Sequence, residues 1–286
     1  MCIVVFIWQA HPRYPLLLLL NRDEFHDRPT KPISWWEGDE IVGGKDELAG
    51  GTWLACSRKG KLGFLTNVME PPPYPERKSR GGLIMKFLES DKSPEEFANE
   101  VIKEADEYNG FNLVLADIHS KVMVYVTNRP KAVRVSVQVV SPGIHVLSNA
   151  QLDSPWFKTE RLGQNFKELL DQHSERGGEV QLKEMVKELM RDTVRAERSR
   201  LPGIRRPEYE LPASAIFVEC DTPMGRYGTR STAALSVTAA GNVSIYEEYL
   251  EKETWKVQTV EYQIENVKGA KVVDSSVEPS ASSLTT

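Results

Sequence analysis

Met1-Cys2-Ile3-Val4-Val5-Phe6-Ile7-Trp8, then Leu16-Leu17-Leu18-Leu19-Leu20 and the polar Asn21-Arg22-Asp23-Glu24, is the stretch on which the fold turns. His11-Pro12-Arg13-Tyr14-Pro15 separates the two apolar runs, so they read as a buried hairpin over 2–9 and 14–20. Neither run approaches the roughly 20 apolar residues of a membrane span. No basic start and no small-residue cleavage site mark a secretory leader, and the expectation is a cytosolic chain without a transmembrane segment. Position 2 carries its own chemistry. Loss of Met1 would leave Cys2 with a thiol and an α-amine on one residue. The thiolate can then attack a carbonyl while the amine, with a pKa near ~8, accepts the proton. Taken alone, the position reads more simply as a buried cysteine opening a strand.

Outward from this hairpin, Asn21 to Thr30 reads as a polar loop, and Gly43-Gly44 and Gly50-Gly51 as turns. Strand patterns follow at 52–57 and 61–66, and Pro71–Pro75 reads as a surface loop. Leu83, Ile84, Phe87 and Leu88 have helical spacing. So do Phe97, Val101, Ile102 and Ala105, behind the cap Ser93-Pro94-Glu95-Glu96. Strand patterns recur at 111–117, 121–127, 131–140 and 144–148. Helical ones follow at 162–170 and 182–194, then a proline-bearing loop at 201–212, then strands at 213–219, 232–238, 243–249 and 255–264. Helices thus come in pairs between groups of strands. That order argues against a doubly wound parallel sheet. It suits an α+β fold in which two antiparallel sheets pack face to face, with a helix pair over each outer face. The expected organisation is one domain over 1–268 and a disordered, Ser- and Thr-rich tail over 269–286.

A net charge of -5 and the lack of a basic stripe give no footprint for nucleic acid. Cys2, Cys56 and Cys220 lack the spacing of a zinc site or disulfide framework, and the five histidines are scattered, so no metal ligand is assigned. The polar residues that draw attention stand at strand ends: Asn21 to Glu24, Asn67 after Leu65-Thr66, Asn149 after Leu147-Ser148, and Arg230 within Tyr227 to Thr232. Asparagine at a strand end is commonly turn chemistry, but its side-chain N–H can also donate to a developing oxyanion.

These segments together resemble the transport and Golgi organisation 2 family, also called NRDE proteins. The likeness rests on MCI at 1–3, NRDEFHDRP at 21–29, GGTWL at 50–54, LTN at 65–67, RGGL at 80–83, YNGFNLVLAD at 108–117, PGIHVLSNAQLDSPWFK at 142–158 and YGTRSTAAL at 227–235. That family is similar to the N-terminal nucleophile hydrolases of the choloylglycine hydrolase and penicillin V acylase branch, which implies a four-layer α/β/β/α sandwich. The resemblance implies Cys2 as nucleophile, Asp23 as the partner of its amine, and Asn149 as oxyanion donor with Asn67 beside it. Arg230 would be a distal supporting arginine and Arg22 an assisting one. In the hydrolases the arginine precedes the aspartate by three residues; here the two are adjacent. Neighbours on an extended segment point to opposite faces, so Arg22 and Asp23 are not expected to face Cys2 together.

The family is associated with Golgi organisation and secretion, haem trafficking, and mitochondrial and lipid homeostasis. The resemblance therefore implies a cytoplasmic protein, associated with Golgi or mitochondria, that binds haem or an acyl compound as a transported ligand and requires no cofactor. The alternative is an active cysteine amidohydrolase that cleaves linear amides through a Cys2 thioester. A third reading, an interaction module working through Pro71–Pro75 and Leu201–Pro212, ranks below both.

Overall fold

In a computed structural model, which describes residues 2–70, 76–176 and 179–265, the opening hairpin forms from β1 (Ile3–Trp8) and β2 (Leu16–Phe25), with Ile3 opposite Asn21 and Trp8 opposite Leu16. Alternation sorts the side chains of both strands to two faces. Val4, Phe6, Trp8, Leu16, Leu18 and Leu20 enter one hydrophobic cluster, while Ile3, Val5, Ile7, Leu17 and Leu19 enter another. Both faces are buried, which is why Ile3–Trp8 and Leu16–Leu20 are apolar throughout instead of alternating.

Around the hairpin stand β3 (Thr30–Trp35), β4 (Ile41–Asp46), β5 (Leu54–Ser57), β6 (Lys61–Asn67), β7 (Phe111–Asp117), β8 (Val122–Thr127) and β9 (Val137–Val139). They continue with β10 (Gly143–Leu147), β11 (Glu219–Thr222), β12 (Gly225–Val237), β13 (Asn242–Glu251) and β14 (Thr254–Gln263). One sheet runs β10-β1-β2-β12-β13-β14, with β11 on β12; the other runs β3 to β9 in chain order. The pairings are antiparallel. Helices α1 (Gly81–Glu89) and α2 (Pro94–Glu104) cover the second sheet through Leu83, Ile84, Phe87, Phe97 and Val101. Helices α3 (Phe157–Arg176) and α4 (Leu182–Leu189) cover the first through Leu162, Phe166, Met185 and Val186. The Val4–Phe6–Leu18 cluster lies between the sheets, where Phe6 meets Phe64 edge-on at 5.4 Å. This is the α/β/β/α sandwich. Ser93 caps α2 with a full capping box, and Pro94 sits in its first turn.

The structure corrects several local readings. Asn21 to Phe25 is not loop but the second half of β2, because β12 pairs with it from Tyr227↔Phe25 to Thr232↔Asn21, shifting register between Thr229 and Ser231. Gly43-Gly44 is inside β4, not a turn. A Cβ on Gly43 would lie 2.5 Å from Ala55 Cβ, and one on Gly44 would lie 2.2 Å from the Trp53 ring. The 131–140 strand shrinks to β9 because Lys131 to Arg134 is exposed. The 201–212 loop ends in a short helix, α5 (Pro207–Ala213), and the strand read at 213–219 begins only at Glu219. Val194 lies beyond α4 and is exposed. The Pro71–Pro75 loop and the 269–286 tail lie outside the described residues.

One pH dependence is built into β10. His145 Nδ1 lies 2.7 Å from Asp153 Oδ2, and its Nε2 lies 2.8 Å from the Ser141 carbonyl. Burial opposes the charged ring, but those two acceptors outweigh it and raise the pKa above the ordinary 6.5. A histidine raised on folding stabilises fully below the unfolded value. That stabilisation is lost as pH rises through the folded value. Wild type is therefore expected to lose more unfolding free energy than Asp153→Asn between about pH 5.5 and about pH 8. Parallel urea-unfolding curves with equal losses would refute this.

Candidate active site

Cys2 is buried at the entrance to β1, where its carbonyl accepts from Ser148 Oγ at 2.8 Å. Ser148 and Asn149 leave β10 beside it, because β10 pairs with β1 up to Val4↔Leu147. The backbone N–H of Asp23 donates to the Cys2 sulfur. Burial pushes the thiol up, the Asp23 carboxylate adds to that, and the Arg22 guanidinium opposes it.

Asp23 is 4% exposed, and Thr229 Oγ1 donates to its Oδ1 at 2.7 Å. Thr229 is itself placed by the segment before β11: its N–H donates to the Val218 carbonyl at 2.8 Å, and its Oγ1 lies 2.9 Å from Val218 N. Burial raises the Asp23 carboxyl, with Lys158 and the Thr229 hydroxyl among the groups pulling it back. Asn21, two residues earlier on β2, faces the helices. Its Nδ2 donates to the carbonyls of Met190 and Ile216, each at 2.9 Å.

Arg22 and Asp23 leave β2 on opposite faces. Arg22 enters the inter-sheet space, where its guanidinium stacks 4.2 Å above the Trp53 ring and its Nη2 is 4.0 Å from Asp46 Oδ2. Asp23 meets Thr229 and feels the charge of Lys158 on α3. Both still act electrostatically on the Cys2 thiol.

Asn149 is buried, but its Nδ2 already donates to the Asn67 carbonyl at 2.8 Å, and its own carbonyl accepts from Met69 N–H at 2.7 Å. Asn67 thus stands beside Asn149 through its main chain, while its side chain is exposed. Thr66 Oγ1 and Asn112 Nδ2 both donate to the Ser148 carbonyl, locking the ends of β6 and β10 together across the sandwich. Arg230 is set apart. Its Nη1 donates to the Phe25 carbonyl at 2.9 Å and the Arg28 carbonyl at 2.6 Å, clamping the connection from β2 to β3. Burial, with Arg22 nearby, lowers its pKa.

Lys158 was not singled out from the sequence. It is 2% exposed, and its Nζ donates to Asn149 Oδ1 at 3.4 Å. Burial pulls its pKa down, while Asp23 and Cys2 hold it up. The signal was present: Lys158, Leu162, Phe166 and Leu169 share the apolar helical stripe of α3, and a lysine on such a stripe faces the interior. Cys2, Asp23, Asn149 and Lys158 therefore form a buried polar cluster that the tertiary structure alone assembles.

Two cavities flank this end of the sandwich. One, of about 110 Å³, lies between Arg22, Trp53, Arg230, Ser231 and Glu247; Cys2 does not line it. The other, about 320 Å³ and more open, is bordered by Phe25, Arg28, Pro29, Leu48 and Met224. Leu48 and Met224 are exposed apolar residues on loop tips. Among the described residues, no three His, Cys, Asp or Glu side chains cluster as a metal site, and no helix is long and apolar enough to cross a membrane.

Comparison with known proteins adds to this geometry. The family model described as Transport and Golgi organisation 2 matches residues 1–252. A transport and Golgi organization 2 homolog from Mus musculus is 35% identical over 288 residues, covering 93% of this chain and 100% of that protein. The Homo sapiens homolog is 31% identical, covering 93% and 100% respectively. Among solved structures, a conjugated bile acid hydrolase from Clostridium perfringens superposes with a TM-score of 0.52 at 11% identity, covering 94% of each chain. The sandwich fold is thus shared with that hydrolase.

Proposed function

This chain belongs to the Transport and Golgi organisation 2 family, and we propose that it serves lipid or haem homeostasis tied to Golgi organisation and secretion by binding a small acyl compound at the Cys2 end of the sandwich. The observation that carries this is the convergence of buried Cys2, Asp23, Asn149 and Lys158 from separate elements, more polar burial than a scaffold requires. Burial pushes the Cys2 thiol up, and the Asn149 amide gives one of its two N–H donors to the Asn67 carbonyl, so binding at this end needs no activated thiol. Haem fits less well than an acyl group. Both ring nitrogens of His145 are engaged and not free to ligate iron. The proposed setting is the cytoplasm, with Golgi or mitochondrial association through partners.

Titration with a fluorescent fatty-acyl probe, and separately with haem followed by absorbance, tests this. A saturable acyl complex, weakened at least about tenfold in Lys158→Met by loss of a charge-assisted contact, is the expected outcome. No saturation with either probe would refute it.

The approach of Asp23 and Asn149 to Cys2 on a nucleophile-hydrolase sandwich favours a second reading, an N-terminal cysteine amidohydrolase. Once Met1 is lost, the Cys2 sulfur would bond to the acyl carbon as the C–N bond breaks. The thiol proton would pass through the α-amine to the leaving nitrogen, and water would release the acid from the thioester. Intact mass of the natural protein shows whether the amine is free. Turnover of linear amides must then vanish in Cys2→Ala, and retained activity there excludes this chemistry.

A further inference from the structure

Three buried donors without partners meet at one cavity. Among the described residues, Arg22 Nη1, Trp53 Nε1 and Arg230 Nε each lack a hydrogen-bond partner, and all three side chains line the space of about 110 Å³ between the sheets. Arg22 is 4% exposed and Trp53 is 5% exposed, so solvent on the outer surface does not serve them. Buried polar groups in folded proteins are paired in the great majority of cases, so three orphans converging on one space point to a shared acceptor. Guanidinium and indole N–H groups donate only. A group rich in lone pairs matches this wall, and two guanidiniums favour one that is negatively charged.

Among the described residues no acid hydrogen-bonds these three atoms, although Asp46 lies 4.0 Å from the other arm of the Arg22 guanidinium. Glu247 is the buried carboxylate at the cavity, and each of its oxygens already accepts from another group. Oε1 accepts from Ser231 Oγ at 2.5 Å, and Oε2 accepts from the Ile33 N–H and Gln258 Nε2, each at 2.7 Å. Glu251 is paired with Lys256 and Lys31 with Glu47, while Lys252 adds positive charge to the lining. The donors are held before any ligand arrives. Arg22 is fixed by its stack on Trp53, and Arg230 by its bonds to the Phe25 and Arg28 carbonyls. Preorganised forks of this kind lose little freedom on binding. The space exceeds the roughly 10–15 Å³ needed for one water and suits a head group of a few heavy atoms.

We propose that this cavity recognises an anionic oxygen group, a carboxylate or a phosphate, carried by the protein's ligand. The proposal rests on no reaction at Cys2, which does not line the cavity. A negative result for acyl transfer or for acyl binding at Cys2 therefore leaves it standing.

The test is calorimetric titration of the full chain with inorganic phosphate and with acetate at constant ionic strength, alongside the indole N–H resonances. One saturable site is expected for at least one probe. The Trp53 indole resonance, identified by its loss in Trp53→Phe, is expected to shift with saturation. Trp53→Phe keeps a ring beneath Arg22 and removes only the donor, so affinity should fall about tenfold or more; Arg22→Met should lower it at least as far. Should Arg22→Met fail to fold, Trp53→Phe decides alone. Saturation by phosphate only, or by acetate only, assigns the head group, and either supports the proposal. Saturation by neither probe, or binding that leaves the Trp53 indole and the Trp53→Phe affinity unchanged, overturns it.

Discussion

Lys158→Met and Asp23→Asn are each expected to lower the unfolding free energy by about 3–5 kcal/mol, and the double variant by clearly less than the sum. Both groups are buried, at 2% and 4% exposure, and each acts on the charge of the other. Removing one takes a compensating charge away from the other in the interior. Removing both restores neutrality at similar volume, a change that is often close to neutral in energy. Asparagine keeps an oxygen for the Thr229 hydroxyl, so the cycle isolates the charge. Urea unfolding of the four proteins reads the coupling. Strict additivity would mean that Lys158 and Asp23 do not depend on each other, and the cluster described above would lose its centre.

The second large effect falls on a glycine that no charge argument would select. A Cβ on Gly228 would lie 2.2 Å from the Val218 carbonyl oxygen and 3.1 Å from its carbon. That carbonyl is main chain and accepts the Thr229 N–H, so it cannot swing aside as a flexible side chain would. Gly228→Ala is expected to cost about 1–3 kcal/mol or more through overpacking. It should also displace Thr229 and so disturb Asp23. Gly82→Ala in α1, where nothing lies within 4 Å of the added atom, should be neutral or about 0.5–1 kcal/mol stabilising. If the two alanine variants unfold at the same denaturant concentration, the close approach at Gly228 does not constrain the fold.

The misread segments share one cause. Asn21 to Phe25 carries the residues of a solvated turn, yet it is strand, because β12 arrives from more than 200 residues away in the chain to complete the ladder. Gly43-Gly44 has the composition of a turn, yet it lies in β4, where Ala55 and Trp53 leave no room for a side chain. In both, a distant partner overrode local composition. The site divides the same way. Cys2, Asp23 and Asn149 stood out as polar residues beside apolar strands. Lys158 was concealed in a helix whose buried face could be recognised only from its spacing to Leu162 and Phe166.

Sequence alone determined that strands and paired helices alternate in groups, that β1 and β2 are buried on both faces, and that Cys2 begins the first of them. Those features depend on hydrophobic period and proline placement, which are local and survive any arrangement of the rest. Tertiary structure alone decided that Lys158 would meet Asn149, that the Asn149 amide would donate to the Asn67 carbonyl, and that Arg22, Trp53 and Arg230 would turn unpaired donors into one cavity. Such matters are settled by which elements the two sheets and the helix layer bring within a few ångströms. Hydrogen bonds and charges act only across that distance, whatever the separation along the chain.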